Sequence, residues 1–284
     1  MIFKRAAILG VGLLGASFSL ALKKQGICRH VCGYGRNAAN LERAVKMGII
    51  DSFAAEPASA CSGADLVLLA APVGSFVDLV KRASSALMKG TIVTDVGSVK
   101  GGLVHELESI MPPGVHFVGA HPIAGSDRSG IDFSDPDLFS GALCIITPSD
   151  RTEPATLSAV TEIWNSFGSK VMTMDPDHHD RVYAAVSHLP HMIAYAMVNT
   201  VADIDRSFLS YCGQGFRDMT RIAASSPEIW TDISLLNREN IREMMAIFRK
   251  NLDRMDAHLK ASETEQLKEH FSRASTTRKS IGQD

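Results

Sequence analysis

Short apolar runs alternate with amphipathic stretches through the first part of the chain. The opening segment, Lys4 to Lys24, reads KRAAILGVGLLGASFSLALKK. An apolar run passes through a glycine-rich turn into a helical pattern without a breaker, so the segment is read as strand, turn and helix. His30–Tyr34 reads as a second strand, with a helix over about Ala38–Met47. Asp65–Ala70 and Thr91–Asp95 read as strands followed by helices around Phe76–Leu87 and Val99–Ile110, and Val115–Gly119 reads as another strand. A final pair, Ala142–Thr147 and Lys170–Met174, flanks a helix near Ala155–Phe167. Strands alternating with helices predict an α/β architecture, a doubly wound and mostly parallel sheet with helices on both faces.

Beyond Asp175 the period changes. Leu189, Met192, Ile193, Ala196 and Met197 recur at helical spacing, as do Ile241, Met244, Met245, Phe248, Leu252, Met255 and Leu259. The second set forms a long stripe that either packs within the chain or meets a second subunit. Val182–Val201 is the most apolar later stretch, but with His188, Pro190, His191 and Asn199 it is too polar for a membrane span and reads as a buried helix. Ser225-Ser226-Pro227-Glu228 reads as a helix start, with either serine as the cap and the capping-box spacing running from Ser225 to Glu228. The tail from Arg273 reads as frayed. The expected division is residues 1–174 and 175–284, the second part all-helical.

At 284 residues and 45% hydrophobic content the chain can build a sizeable core, in two domains or one large one. A formal charge of -2 offers no basic field for nucleic acid. The five cysteines are scattered, with no CxxC pair, as expected of reduced thiols in a cytoplasm. The chain opens on a strand, so no secretory signal is expected.

Gly10-Val11-Gly12-Leu13-Leu14-Gly15 is the sharpest local signal. Gly10 permits a tight turn, Gly12 close approach of the backbone to a pyrophosphate, and Gly15 packing of helix on strand; the helix N-terminus offers N–H groups to an anion. A dinucleotide is the natural ligand, an ordinary glycine turn the alternative. At the end of the second strand stands Gly33-Tyr34-Gly35-Arg36-Asn37, without the acid that receives the ribose hydroxyls of NAD. Gly35 removes a charge that would repel a 2′-phosphate and Arg36 can pair with one, so NADP is favoured over NAD. Alternatively, Arg36 lies in solvent and Asn37 starts the next helix.

Four further segments carry chemistry: Asp95-Val96-Gly97-Ser98-Val99-Lys100, Gly119-Ala120-His121-Pro122-Ile123-Ala124-Gly125-Ser126-Asp127, Ser187-His188-Leu189-Pro190-His191, and Gly215-Phe216-Arg217-Asp218-Met219-Thr220-Arg221-Ile222. The first two follow strands and so belong at the carboxyl edge of the sheet, where such folds bind ligands. Read from residue type alone, His121 either exchanges a proton or fixes its loop, Ser98 caps a helix beginning at Val99, Lys100 adds positive potential or is a surface lysine at a helix start, and Arg221 pairs with Asp218. Asp177-His178-His179-Asp180 can suggest a metal, but adjacent histidines diverge on a helix and no metal is expected.

With the four segments in this order behind the glycine turn, the chain resembles the prephenate and arogenate (cyclohexadienyl) dehydrogenases of tyrosine biosynthesis from Ile8 to about Asn240. The resemblance implies a Rossmann domain, a helical dimerisation domain making a homodimer, and oxidative decarboxylation of prephenate, arogenate or both, with a nicotinamide cofactor accepting hydride. It further implies that His121 receives the substrate hydroxyl proton, that Ser98 bridges hydroxyl and nicotinamide, and that Arg221 holds the ring carboxylate. His188 is then a second polar contact, with Ser126 nearby, and Asp127 and Asp218 bear on the choice between a keto and an ammonium side chain. His191 is expected to pack internally, and Trp230 to lie near the substrate or in the packing. Rival readings are a β-hydroxyacid dehydrogenase, whose helical-region lysine is not evident, and a noncatalytic NADP-binding sensor.

Overall fold

The computed structural model describes residues 2–124 and 129–281. They fall into two compact units, residues 1–238 and 239–284. In the first, eight strands form one sheet among the described residues: β1 (Ala6–Leu9), β2 (Val31–Tyr34), β3 (Ser52–Ala54), β4 (Leu66–Leu69), β5 (Ile92–Asp95), β6 (His116–Pro122), β7 (Leu143–Thr147) and β8 (Lys170–Thr173). Their order is β3-β2-β1-β4-β5-β6-β7-β8. All pairs from β3 to β6 are parallel, β7 runs antiparallel to β6, and β8 is parallel to β7.

The helices of this unit are α1 (Leu13–Lys24), α2 (Ala38–Lys46), α3 (Pro57–Cys61), α4 (Phe76–Ala83), α5 (Gly101–Ile110), α6 (Pro154–Ser166), α7 (Pro176–Tyr183), α8 (Leu189–Asp205), α9 (Gln214–Thr220) and α10 (Pro227–Leu236). The alternating side chains of one strand feed two cores, because successive residues point to opposite faces. Ala6, Ile8, Leu66 and Leu68 face α1 and α6, where Phe18, Phe139, Trp164 and Phe167 interlock edge to face. Ala7, Leu9, Val67 and Leu69 face α3, α4 and α5. Each fully buried ring or branched side chain contributes roughly 1.5–3 kcal/mol. Such runs, apolar on both faces, are why the strands were legible as strands.

The short edge strand β3 was not foreseen; Ser52, Phe53 and Ala54 lack an apolar run and stay partly exposed. The buried helix expected over Val182–Val201 is corrected: α7 passes through a π-helical turn, Ala184–His188, into α8, which buries only Ala194. The second unit holds α11 (Arg238–Lys260) and α12 (Thr264–Ser280). The stripe expected on α11 lies on a helix, with Ile241 buried and Met245, Leu252 and Leu259 exposed. Of the tail expected to fray from Arg273, the described residues through Ser280 instead continue α12.

Candidate active site

The strand order reverses between β1 and β4, and the crevice at their carboxyl ends is where a sheet of this kind receives a ligand. A cavity of about 670 Å³ lies there, walled by Gly12, Leu13 and Leu14 after β1, Ala70 to Val73 after β4, and Val96 to Ser98 after β5. Its opposite wall is Arg221, Ala224 to Ser226, Ile229, Trp230 and Ile233. The walls are tied together where Asp232 accepts from the Gly74 N–H at 3.2 Å. Ser226, not Ser225, caps α10, accepting from Ile229 N–H and donating to Glu228 at 2.6 Å.

The glycine loop fits a dinucleotide. Gly10 has φ +115°, and a Cβ there would stand 2.5 Å from the Ala70 backbone; one on Gly15 would stand 2.0 Å from the Gly10 carbonyl. Those two are demanded by the chain's own packing. Gly12 is different: a Cβ there meets no atom within 4 Å, so its surroundings are open on the cavity side. It is followed by a helix with neither a side-chain cap nor an acid in its first turn. The N–H groups that a cap would otherwise satisfy face the place of an anion. Tyr34 ends β2, and the exposed Arg36 follows the half-buried Gly35 there; Asn37 caps α2 by accepting from Asn40 N–H at 3.1 Å.

Beneath the cavity floor lies a buried ion pair that the sequence reading missed. Asp95 and Lys100 are each 1% exposed, with Lys100 Nζ 2.5 Å from Asp95 Oδ2. The ammonium also donates to the Gly97 carbonyl, while Asp95 accepts from the N–H groups of Gly97 and Ala120. One carboxylate thus joins the loop bearing Ser98 to the strand bearing His121. Lys100 is therefore no surface lysine. Nor does Ser98 cap a helix at Val99: α5 begins at Gly101, the Lys100 N–H instead donates to Asp180 Oδ1 at 2.7 Å, and Ser98 lines the cavity. Removing one member of a buried pair leaves an uncompensated charge. Lys100→Met is therefore expected to lower unfolding free energy by about 3–5 kcal/mol. Addition of Asp95→Asn should recover part of the loss in urea titrations; additive losses would count against the pairing.

His121 was expected just past a strand but lies within β6, because β7 pairs with it out to Pro122, with His121 opposite Ile145. It is 8% exposed and is not among the residues lining the cavity. Its Nδ1 is 2.9 Å from Nε2 of His179, whose Nδ1 is 2.9 Å from Asp180 Oδ1. Tyr183 covers both rings, stacked on His179. Burial above all, then the neighbouring His179, Lys100 and His188, hold His121 well below the ordinary imidazole range. Burial likewise lowers His179, against the opposing pull of Asp180. Both rings are neutral at neutral pH.

His188 is fully buried on the π-helical turn, its Nδ1 3.1 Å from Asn237 Nδ2, which also donates to the Asp180 carbonyl. Burial brings it down to about 4. It does not line the cavity. His191 stacks on Trp230 at 3.5 Å and its Nδ1 lies 3.0 Å from the Ser187 carbonyl oxygen, the internal role expected of it. Arg221 opens a short turn, Arg221–Ala224, and lines the cavity with Trp230. Asp218 does not join them: it is exposed on α9 and accepts from Gln214 at 2.6 Å. Ser126 and Asp127 lie outside the described residues. The Asp177–Asp180 run splits, with His178 exposed and His179 buried, and among the described residues no cluster of three metal-ligating side chains forms. Helical spacing of His179 with Tyr183 was the available signal for an inward-facing His179.

Residues 18–173 match the family model described as prephenate dehydrogenase, nucleotide-binding domain, and residues 175–273 the one described as prephenate dehydrogenase, dimerization domain. The chain is 31% identical to the cyclohexadienyl dehydrogenase of Zymomonas mobilis, over 100% of this chain and 98% of that protein. It is 31% identical to the prephenate dehydrogenase of Bacillus subtilis, over 93% of this chain and 72% of the relative. Among solved structures, prephenate dehydrogenase from Aquifex aeolicus in complex with hydroxyphenyl propionate and NAD+ superposes with a TM-score of 0.94, at 36% identity and 99% coverage of both chains. No helix among the described residues is long and apolar enough to cross a membrane.

Proposed function

The chain belongs to the prephenate dehydrogenase family, and on that premise we propose that it oxidatively decarboxylates prephenate to 4-hydroxyphenylpyruvate and arogenate to tyrosine, with hydride transfer to NAD(P). The observation that carries the reading is one cavity at the carboxyl edge of the sheet bounded by the glycine loop, Ser98 and Arg221. Gly12, Leu13 and Leu14 would hold the pyrophosphate of a dinucleotide, and its nicotinamide supplies the hydride acceptor when bound.

The protein's own contributions follow from the substrate, a cyclohexadiene with a hydroxyl at C4 and a carboxylate at C1. His121, neutral because buried, takes the hydroxyl proton as the C4–H bond is broken. Ser98 orients that hydroxyl. Arg221 holds the ring carboxylate in the reactive pose until the C1 bond to it breaks, its electron pair enters the ring and CO2 departs. The proton lent to His121 returns to the phenolate oxygen, so no net proton is consumed. Hydroxyphenyl propionate, bound by the Aquifex aeolicus relative, presents the phenol and carboxylate of such a product. The segment with Ser126 and Asp127 completes substrate recognition in this reading, while His188, buried between Asn237 and Trp230, supports the wall that carries Trp230.

Arg36 and Gly35, at the end of β2 with no acid beside them, support NADP over NAD. Residues 1–174 serve as the nucleotide-binding part and 175–284 as a helical part that makes a homodimer, in the cytoplasm. The test is nicotinamide reduction by the purified chain with prephenate, arogenate and a simple 3-hydroxy acid, each with NAD and NADP. Turnover of the cyclohexadienes alone supports the reading. Turnover of the 3-hydroxy acid alone, or of nothing, overturns it, and equal efficiencies with both cofactors overturn the preference for NADP.

A further inference from the structure

Behind His121 runs a buried chain of hydrogen-bonding groups that the reaction described above leaves unused. His121 Nδ1 meets His179 Nε2 at 2.9 Å, and His179 Nδ1 meets Asp180 Oδ1 at 2.9 Å. All three residues are more than nine-tenths buried. Asp180 is held from several sides. Its Oδ1 accepts from the Lys100 N–H at 2.7 Å, and its carbonyl accepts from Asn237 at 2.8 Å. Gly101 leaves room for its second oxygen, where a Cβ would come within 2.6 Å. The nearby Lys100 ammonium is already paired with Asp95, so Asp180 is the anion facing the histidines. The helix that carries the pair is started by Asp175, which accepts from the N–H groups of Asp177 and His178. That start turns His179 and Tyr183, four residues apart, toward the sheet, and His178 toward solvent.

We propose that His179 and Asp180 are positioning residues for His121. Asp180 sets the proton of His179 on Nδ1, His179 thereby sets the proton of His121 on Nδ1, and the pair shares the positive charge that His121 gains from the substrate hydroxyl. The proposal rests on the reaction assigned to His121. An ionised carboxylate only accepts, so His179 Nδ1 must carry hydrogen and its Nε2 must present a lone pair. His121 Nδ1 must then donate to that lone pair, which leaves His121 Nε2 as the ring's basic atom. When Nε2 receives the hydroxyl proton, the Nδ1 proton can shift along the existing hydrogen bond to His179, where the cation meets Asp180. No atom is gained or lost: the protons move back in reverse when the phenolate is reprotonated. Without such a partner, an imidazolium this deeply buried would carry the full cost of desolvation.

The first test leaves His179 and Asp180 unchanged. In the protein labelled with 15N-histidine, His121, assigned by its disappearance in His121→Asn, is expected to show hydrogen on Nδ1 and a bare Nε2 at neutral pH. The opposite tautomer overturns the proposal even if the enzyme is an active prephenate dehydrogenase, and so separates this inference from the assignment of function. The second test is kinetic. His179→Phe keeps a ring beside Tyr183 but offers no lone pair, and is expected to lower kcat about 10- to 100-fold with KM for substrate and cofactor within about threefold. His179→Gln, whose amide oxygen can accept in the same place, is expected to restore the His121 tautomer and part of kcat. A kcat for His179→Phe within about threefold of the parent overturns the proposal, as does a His121 tautomer unchanged in that variant. Should His179→Phe not fold, His179→Gln and the parent spectrum decide the matter.

Discussion

His121→Asn is expected to lower kcat with prephenate by about 10³-fold while KM for prephenate and cofactor changes by less than about threefold. The reason is the placement of the ring. His121 is enclosed beneath Tyr183 with one nitrogen committed to His179, so a single nitrogen remains for proton exchange. Asparagine offers polar atoms but no base that accepts a proton near neutrality. Binding is mostly unchanged because the cavity walls are supplied by other residues. The parent enzyme's dependence on pH carries the same signature. Burial holds His121 well below the ordinary value of 6.5, so the fraction of neutral imidazole does not fall as pH drops just below 6.5. Steady-state kinetics from about pH 5.5 to 8 check this: kcat/KM is expected to stay level where an exposed histidine would already be protonated. Turnover of His121→Asn within about tenfold of the parent would remove this residue from the chemistry.

The second large effect is expected at the opposite wall. Arg221→Ala should raise KM for prephenate roughly 10²-fold, the equivalent of about 3 kcal/mol, by deleting a charge-assisted hydrogen bond to the ring carboxylate. Arg221→Lys should fall between parent and alanine variant, since an ammonium keeps the charge and loses the planar fork. kcat should change less than KM, because decarboxylation disperses the carboxylate charge and a pairing much stronger in the ground state would retard it. Initial-rate measurements on the three proteins, with thermal unfolding to confirm equal stability, decide this. An unchanged KM in Arg221→Ala would place the carboxylate elsewhere.

The strands and helices that build the cavity were legible because their signals are local. An apolar run such as Leu66–Leu69 buries both faces of a central strand, and Gly10 and Gly15 after β1 answer steric demands from nearby backbone. The parts misread were those whose meaning depends on how deeply the fold buries them and on what it packs beside them. Lys100 looks like a surface residue until Asp95, Gly97 and Val99 are seen to enclose it. His179 looks like half of a doubtful metal pair until β6 brings His121 within 2.9 Å. The Asp218–Arg221 pair was sensible by spacing, yet Asp218 stands exposed on α9 and accepts from Gln214 of the same helix, while Arg221 lines the cavity.

The sequence by itself determined the alternation of strand and helix, the nucleotide-binding turn, and the order of motifs that assigns the family, since periodicity and glycine placement act over a few residues. The tertiary structure decided which polar side chains are buried and whom they meet. Asp95 and Lys100, five residues apart, are buried together by the loop that follows β5, whereas His121 on β6 meets His179 and Asp180 on α7 across the fold. A charge or an imidazole acquires its state from burial and from the partners the fold turns toward it, and burial is not read from residue type alone.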